Sequence, residues 1–211
     1  MARHRLRFPF VLVVLLVLVA GVVGAQSATL AYAEDLSQVQ ATDGAGETID
    51  TALGATLPAG TTIVTRESSV ELVVEPSGAM IKVARNTTFV LERIDVGSRS
   101  VDHSFRLPAG KIRTVVQGVR DDRYRVRTPT GVAGVRGTDF AQRVVPGQTD
   151  WICVREGTAT FARLTDGTRL VVTAREFADT YAETFESARV GPERLEEIFA
   201  DVQFTHLDPA R

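Results

Sequence analysis

The stretch Arg127-Thr128-Pro129-Thr130-Gly131-Val132-Ala133-Gly134-Val135-Arg136-Gly137-Thr138-Asp139-Phe140 is the most individual run of the chain, with glycine at every third position from Gly131 to Gly137. Glycine-rich loops cradle phosphates when they follow a strand, open a helix and carry a Walker lysine or the dinucleotide spacing. This run has no lysine and its flanks read as strands, so each glycine is read as a turn or a close approach of another strand. Arg136 raises the chemical question, because a guanidinium among glycines and apolar residues must find acceptors if it is buried. Glu156 is the expected partner, in a structural pairing that would hold the run against the next hairpin. The alternative is that Arg136 meets a ligand.

Catalysis requires a nucleophile with its base, paired carboxylates or a metal site. The histidines are His4, His103 and His206, and none stands in a pattern of Glu or Asp with ligand spacing. Neither a Gly-x-Ser-x-Gly elbow nor a His-Glu-x-x-His helix occurs. The single cysteine, Cys153, lies in the alternating run Trp151-Ile152-Cys153-Val154. It excludes an intramolecular disulfide and a cysteine metal cluster, and reads as a buried strand residue. No catalytic, cofactor-binding or metal-binding residue is therefore expected, and no cofactor.

The elements that surround these residues are β-strands. From Thr61 onward, short runs rich in Val, Ile, Thr and Phe alternate with turn residues. Candidate strands are Thr61 to Thr65, Val70 to Glu75, Met80 to Val83, Thr88 to Ile94, Ser104 to Leu107, Lys111 to Val116, Tyr124 to Thr128, Phe140 to Val145, Trp151 to Arg155, Thr158 to Leu164 and Thr168 to Thr173. Pro146-Gly147, Glu156-Gly157 and Asp166-Gly167 supply hairpin turns. This is an all-β single domain of short strands, β-solenoid or sandwich-like, over residues 29–181. Asp43-Gly44-Ala45-Gly46 within the polar segment Glu34 to Leu53 reads as a hairpin tip between edge strands, with a linker as the alternative. Over residues 190–204 the period changes: Pro192 and Glu193 suit a helix start, and Leu195, Ile198, Phe199 and Val202 form one apolar stripe. That short amphipathic helix is expected to dock on its own domain.

At the N-terminus, Arg3, Arg5 and Arg7 precede an uncharged run from Phe8 to Gly24. The order is that of a secretory signal, with small residues at two cleavage points, Val23-Gly24-Ala25 and Ala31-Tyr32-Ala33. The run is also near the roughly 17 to 25 residues of a membrane span. Residues 1–25 are thus a signal peptide or an inner-membrane anchor, and the rest is delivered to the periplasm or beyond. Neither cleavage point precedes a cysteine, so no lipid attachment is expected there. Apart from those three arginines, 21 basic side chains face all 26 acidic ones, a net charge of −5. Such a body lacks the basic excess that nucleic acid requires. Lys82 and Lys111 are the only lysines.

The Thr-Pro step, the glycine turn and Val135-Arg136-Gly137-Thr138 before an aromatic resemble the hallmark of the FecR domain family. Leu57-Pro58-Ala59-Gly60, Ser69-Val70-Glu71-Leu72 and Val154-Arg155-Glu156-Gly157-Thr158 resemble further family steps. The resemblance implies that Thr128, Pro129, Gly131, Val135, Arg136, Gly137, Thr138, Glu156 and Gly157 form a signature turn of structural importance. It also implies an extracytoplasmic β domain. Ala174-Arg175-Glu176 departs from the family's Ala-Gly-Glu closing turn. The family's cytoplasmic sigma-factor-binding domain is not expected here, since seven residues precede the apolar run. The reading is a non-enzymatic binding or signal-relay module of the bacterial envelope, whose partner is an envelope protein or surface polymer. Strand addition at an open sheet edge is one route to binding. A self-associating structural protein of envelope assembly is the alternative. Trp151 is the only tryptophan and reads as core, which weighs against a glycan platform.

Overall fold

The computed structural model describes residues 27–96, 101–117 and 123–208. The export segment expected over residues 1–25 lies outside the described residues. Among the described residues, no helix is long and apolar enough to cross a membrane.

Among the described residues fifteen strands follow one another: β1 (Ser27–Ala33), β2 (Val39–Thr42), β3 (Thr48–Ile49), β4 (Thr56–Pro58), β5 (Thr62–Thr65), β6 (Val70–Glu75), β7 (Ala79–Val83) and β8 (Thr87–Val96). Then come β9 (Val101–Val115), β10 (Arg123–Arg127), β11 (Gly131–Val145), β12 (Thr149–Arg163), β13 (Arg169–Thr173), β14 (Glu176–Asp179) and β15 (Ala188–Arg189). Helix α1 (Pro192–Phe199) and a 3-10 turn (Ala200–Val202) end the described chain. The strands form one hydrogen-bonded sheet. β9 and β10 pair in parallel, while the other pairings among the described residues are antiparallel. The hairpin expected around Asp43 is formed by β2 and β3, and the Asp43 carboxylate accepts the N–H groups of Ala45 and Glu47.

Three strands, β9, β11 and β12, are 15 residues long. Sequence reading divides each at a glycine: Pro108-Ala109-Gly110 in β9, Gly137 in β11 and Gly157 in β12. These are bends within continuous strands rather than turns between short ones. The first half of β11 pairs with β10 and its second half with β9. The first half of β12 pairs with β14 and its second half with β13. The sheet thereby folds over on itself into two layers. One contains β2, β5, β8, β10 and β13; the other contains β1, β4, β6, β7 and β14; the long strands cross between them.

Leu72, Ile81, Ile112, Phe140 and Ile152 on one layer, and Ile63, Phe89, Phe105, Val126 and Phe161 on the other, are at most 1% exposed and belong to one core. An uncovered sheet face leaves such side chains in water, so each layer is the cover of the other. Full burial contributes about 1.5–3 kcal/mol per large apolar side chain. The sandwich-like alternative is thus the one the chain adopts.

The bend shared by β11 and β12 has no room for a side chain. Gly157 has φ +86°, and a Cβ there would lie 2.3 Å from the Gly137 carbonyl oxygen; Gly137 itself has φ +56°. Where the family carries glycine in its closing turn, Arg175 adopts φ +64°. Two substitutions should therefore move stability in opposite directions. Gly157→Ala is expected to cost about 2–4 kcal/mol, and Arg175→Gly to gain up to about 1 kcal/mol by relieving left-handed strain, both read as shifts of the urea midpoint.

Candidate functional site

The signature residues are not a single turn. Thr128 to Gly131 make the tight connection between β10 and β11, with the Thr128 N–H donating to the Gly131 carbonyl at 2.9 Å and the Gly131 N–H donating to Thr128 Oγ1 at 2.8 Å. Beneath it lies Asp150, fully buried at the start of β12. Its Oδ2 accepts the hydroxyls of Thr128 and Thr130, the latter at 2.6 Å, and the Thr130 N–H at 3.2 Å. Burial raises the Asp150 carboxyl above the usual aspartate range; these hydrogen bonds oppose the shift, and the nearby Asp179 adds to it. Asp150 was not singled out in the sequence, because nothing in Thr149-Asp150-Trp151 announces a contact twenty residues away.

Val135 is buried in the core, and Pro129 is exposed. Gly137 and Thr138 form a bulge in β11, where the pairing with β12 shifts register between Arg136 and Asp139. The Thr138 hydroxyl lies 2.7 Å from the Thr158 carbonyl, to which it donates, and 2.9 Å from that of Arg136. Asp139 then binds Arg113 of β9 through two parallel bonds, Nε to Oδ1 at 2.9 Å and Nη2 to Oδ2 at 2.7 Å. This pair is almost wholly buried, in the planar fork geometry that arginine and carboxylate share. It is the ion pair that pins the bend.

The expected pairing of Arg136 with Glu156 is not formed. Arg136 stands opposite Thr158 and Glu156 opposite Asp139; both side chains are exposed. The bulge displaces the register that simple alternation would have given. Arg136 needs no buried acceptor because it points out of the sandwich.

The two outer faces differ. On the layer of β7, β9, β11 and β12, the C-terminal segment lies over the sheet. Leu195, Ile198, Phe199 and Val202 pack on Ala84, Ala141, Trp151 and Cys153 as a second apolar cluster. The amphipathic helix thus docks on its own domain, and Trp151 lies under it rather than in the main core. Both lysines serve this contact. Lys111, whose pKa burial lowers against the pull of Asp201, donates to the Ile198 carbonyl and to Asp201 at the helix C-terminus, where the dipole is negative. Arg113 and Arg155 lie over the Phe199 ring, at 5.5 and 4.3 Å from its centroid. Buried Lys82 pairs with buried Glu71 at 3.1 Å. Glu71 also accepts the N–H groups of Thr205, His206 and Leu207, and so holds the tail. A groove of about 810 Å³ runs between tail and sheet, lined by Lys82, Arg85, Lys111, Arg143 and Asp201 among others. Glu71, Asp201 and Glu34 pair with three of its cations.

Among the described residues, the outer face of the layer made by β9 to β13 carries no such cover. Arg125 and Arg127 of β10, Val132, Gly134 and Arg136 of β11, Thr158 and Thr160 of β12, and Arg169 and Val171 of β13 point outward. Val171 is 61% exposed. Among the described residues, no three His, Cys, Asp or Glu side chains converge as a metal site.

The model of the family described as FecR protein matches residues 61–160, and the chain contains a FecR-family domain. Two crystal structures of a candidate anti-sigma factor from Parabacteroides distasonis ATCC 8503, at 1.65 and 2.50 Å resolution, have a similar fold. Each shares 12% identity at a TM-score of 0.52, and the match covers 63% of this chain and 60% of that one. At this identity the likeness is one of fold. No curated protein matches the chain.

Burial pushes the Cys153 thiol up to about 12, against the attraction of Arg155 and Lys111, so it reports on the helix that covers it. Burial would raise Glu71, but the N–H groups of Thr205 and Leu207 and the Lys82 ammonium hold it below the ordinary value of 4.5. A depressed carboxylate contributes stability that is complete above its unfolded pKa and lost as pH falls through the folded one. Cys153 should therefore be protected from dithiodipyridine at neutral pH and become reactive well below pH 4.5. Glu71→Gln should be labelled faster already at neutral pH. Equal labelling of the two proteins would show that the tail is held by other contacts.

Proposed function

We propose that the chain is an exported, non-enzymatic FecR-domain module of the bacterial envelope, periplasmic or extracellular, that recognises a protein partner and relays that contact. The observation that carries this reading is the asymmetry of the two outer faces. One is closed by α1 and its tail, whereas the other leaves exposed guanidiniums and an exposed valine around Arg136. That arginine forms no ion pair with another described residue, and the bend is held by Gly137, Thr138 and the Asp139–Arg113 pair. A side chain in the domain's signature that the sandwich does not use is available for recognition. The FecR domain, the fold shared with a candidate anti-sigma factor and the arginines before an apolar run at residues 3–24 support a regulatory, exported setting.

The alternative, self-association in envelope assembly, has one specific observation in its favour. Among the described residues, β13 pairs only with β12, which leaves its outer edge open beside Val171, as strand addition requires.

Site-specific photocrosslinking in intact cells separates the two. A photoreactive residue at Arg136 is expected to yield an adduct with a different envelope protein, while one at exposed Leu53 yields none. Adducts only between copies, strongest from Val171, would put assembly first. Absence of any adduct from Arg136 and Val171, with the protein exported and its Cys153 protected, would remove recognition through this face.

A further inference from the structure

The geometry points to an acidic, extended segment of a partner protein as the ligand of the bare face, with its carboxylates paired to Arg127, Arg136 and Arg169. This rests on the recognition reading above and specifies its chemistry. The body as a whole is acidic, with a net charge of −5 outside the first 33 residues. Yet the outward positions of β10, β11 and β13 carry Arg125, Arg127, Arg136 and Arg169. Arg125 is engaged by Asp102, at 2.8 and 3.0 Å. Arg127, Arg136 and Arg169 are exposed and form no ion pair with another described residue, so a ligand's carboxylates would not displace one.

The sheet register sets the spacing. Arg127, Val132, Ala162 and Arg169 lie in one row across four strands, which separates the two arginines by about 14 Å at the usual interstrand distance. Arg136 lies four residues along β11 from Val132, about 13 Å at strand rise. No small anion spans such distances. An extended peptide repeats its side chains on one face every ~6.7 Å, so acidic residues four apart match Arg127 and Arg136, and Arg169, two strands from Arg136, meets a carboxylate to the side of that line.

Beside Arg136 is a trough of about 460 Å³ lined by Arg125, Gly134, Arg136, Thr158 and Thr160, with Tyr124 and Val135 completing its lining. Gly134 makes it: nothing lies within 4 Å of where its Cβ would stand, and its backbone is not left-handed. A side chain would fit there without disturbing the sheet, and its absence leaves the floor open. The threonine hydroxyls and exposed Val171 suit a peptide. The outward positions of β10 to β13 that are described carry no aromatic ring, which a sugar platform would use. The larger groove under the tail is less suited to an acidic ligand, because its lysines already have carboxylate partners.

The test uses the full-length chain in mild detergent and a fluorescent Thr/Val peptide with glutamate at every fourth position. Saturable anisotropy is expected, weakening as salt rises, with amide shifts confined to β10–β13. The glutamine version of the peptide should not bind. Arg127→Ser/Arg136→Ser/Arg169→Ser should weaken binding at least tenfold, and Gly134→Val should do the same with all charges retained. Circular dichroism and Cys153 protection verify folding of both variants. The proposal is overturned if the peptide does not saturate, if both variants bind like wild type, or if the shifts map to the Lys82–Lys111 groove. It is also overturned if an oligoguluronate or oligothymidylate saturates this face and the peptide does not. A failed peptide with the Arg136 crosslink intact would overturn the acidic chemistry alone; loss of the crosslink would remove the recognition reading beneath it.

Discussion

The close approach of Gly157 to the Gly137 carbonyl is the constraint on which the sandwich depends. Two neighbouring strands must bend together to pass from one layer to the other, and at the inside of that bend the backbones come closer than any Cβ permits. Two positive φ angles and a register shift are the local consequence. A shift of register leaves polar groups without their ladder partners, which is costly in a buried position. Thr138 supplies one replacement through its hydroxyl, and the Asp139–Arg113 pair ties the bent strands to β9. The motif is therefore a hinge in the covalent path made rigid by polar contacts.

With the bend in place, the two faces of the folded sheet have different fates. The face holding Lys82, Lys111, Arg113 and Arg155 would expose an apolar patch around Trp151 and Cys153 if left open. The C-terminal segment covers it with four apolar side chains, and the cations bind the end of the helix, its aromatic ring and, through Glu71, the tail backbone. Isolated buried charges are costly. Here each is matched by carboxylates, carbonyls or ring faces, so the cover is specific as well as apolar. On the opposite face Arg125 is paired with Asp102, but Arg127, Arg136 and Arg169 form no ion pair with another described residue, and this difference is the physical basis for assigning recognition to it.

The proposed recognition does not need a reactive group. It needs a surface whose chemistry is unfinished and a scaffold that keeps the surface still. The main core on one side of β9–β13 provides the second, and the trough over Gly134 with its surrounding guanidiniums provides the first.

The amino-acid sequence by itself determined the β class, the domain family, the hairpin at Asp43 and the amphipathic helix with its four buried residues, because alternation, turn residues and helical period are local. It also identified Thr128, Gly131, Gly137, Thr138 and Gly157 as structural, since glycine spacing and the family resemblance are written in the chain. Only the tertiary structure decided that Gly110, Gly137 and Gly157 bend long strands instead of ending short ones. It decided, too, that Arg136 faces out, that Asp139 rather than Glu156 forms the ion pair, and that Asp150 and Glu71 organise distant backbone. Each of these depends on which strands become neighbours and on a one-residue bulge that reverses the facing of side chains, and neither is encoded in the spacing of residues along a single strand.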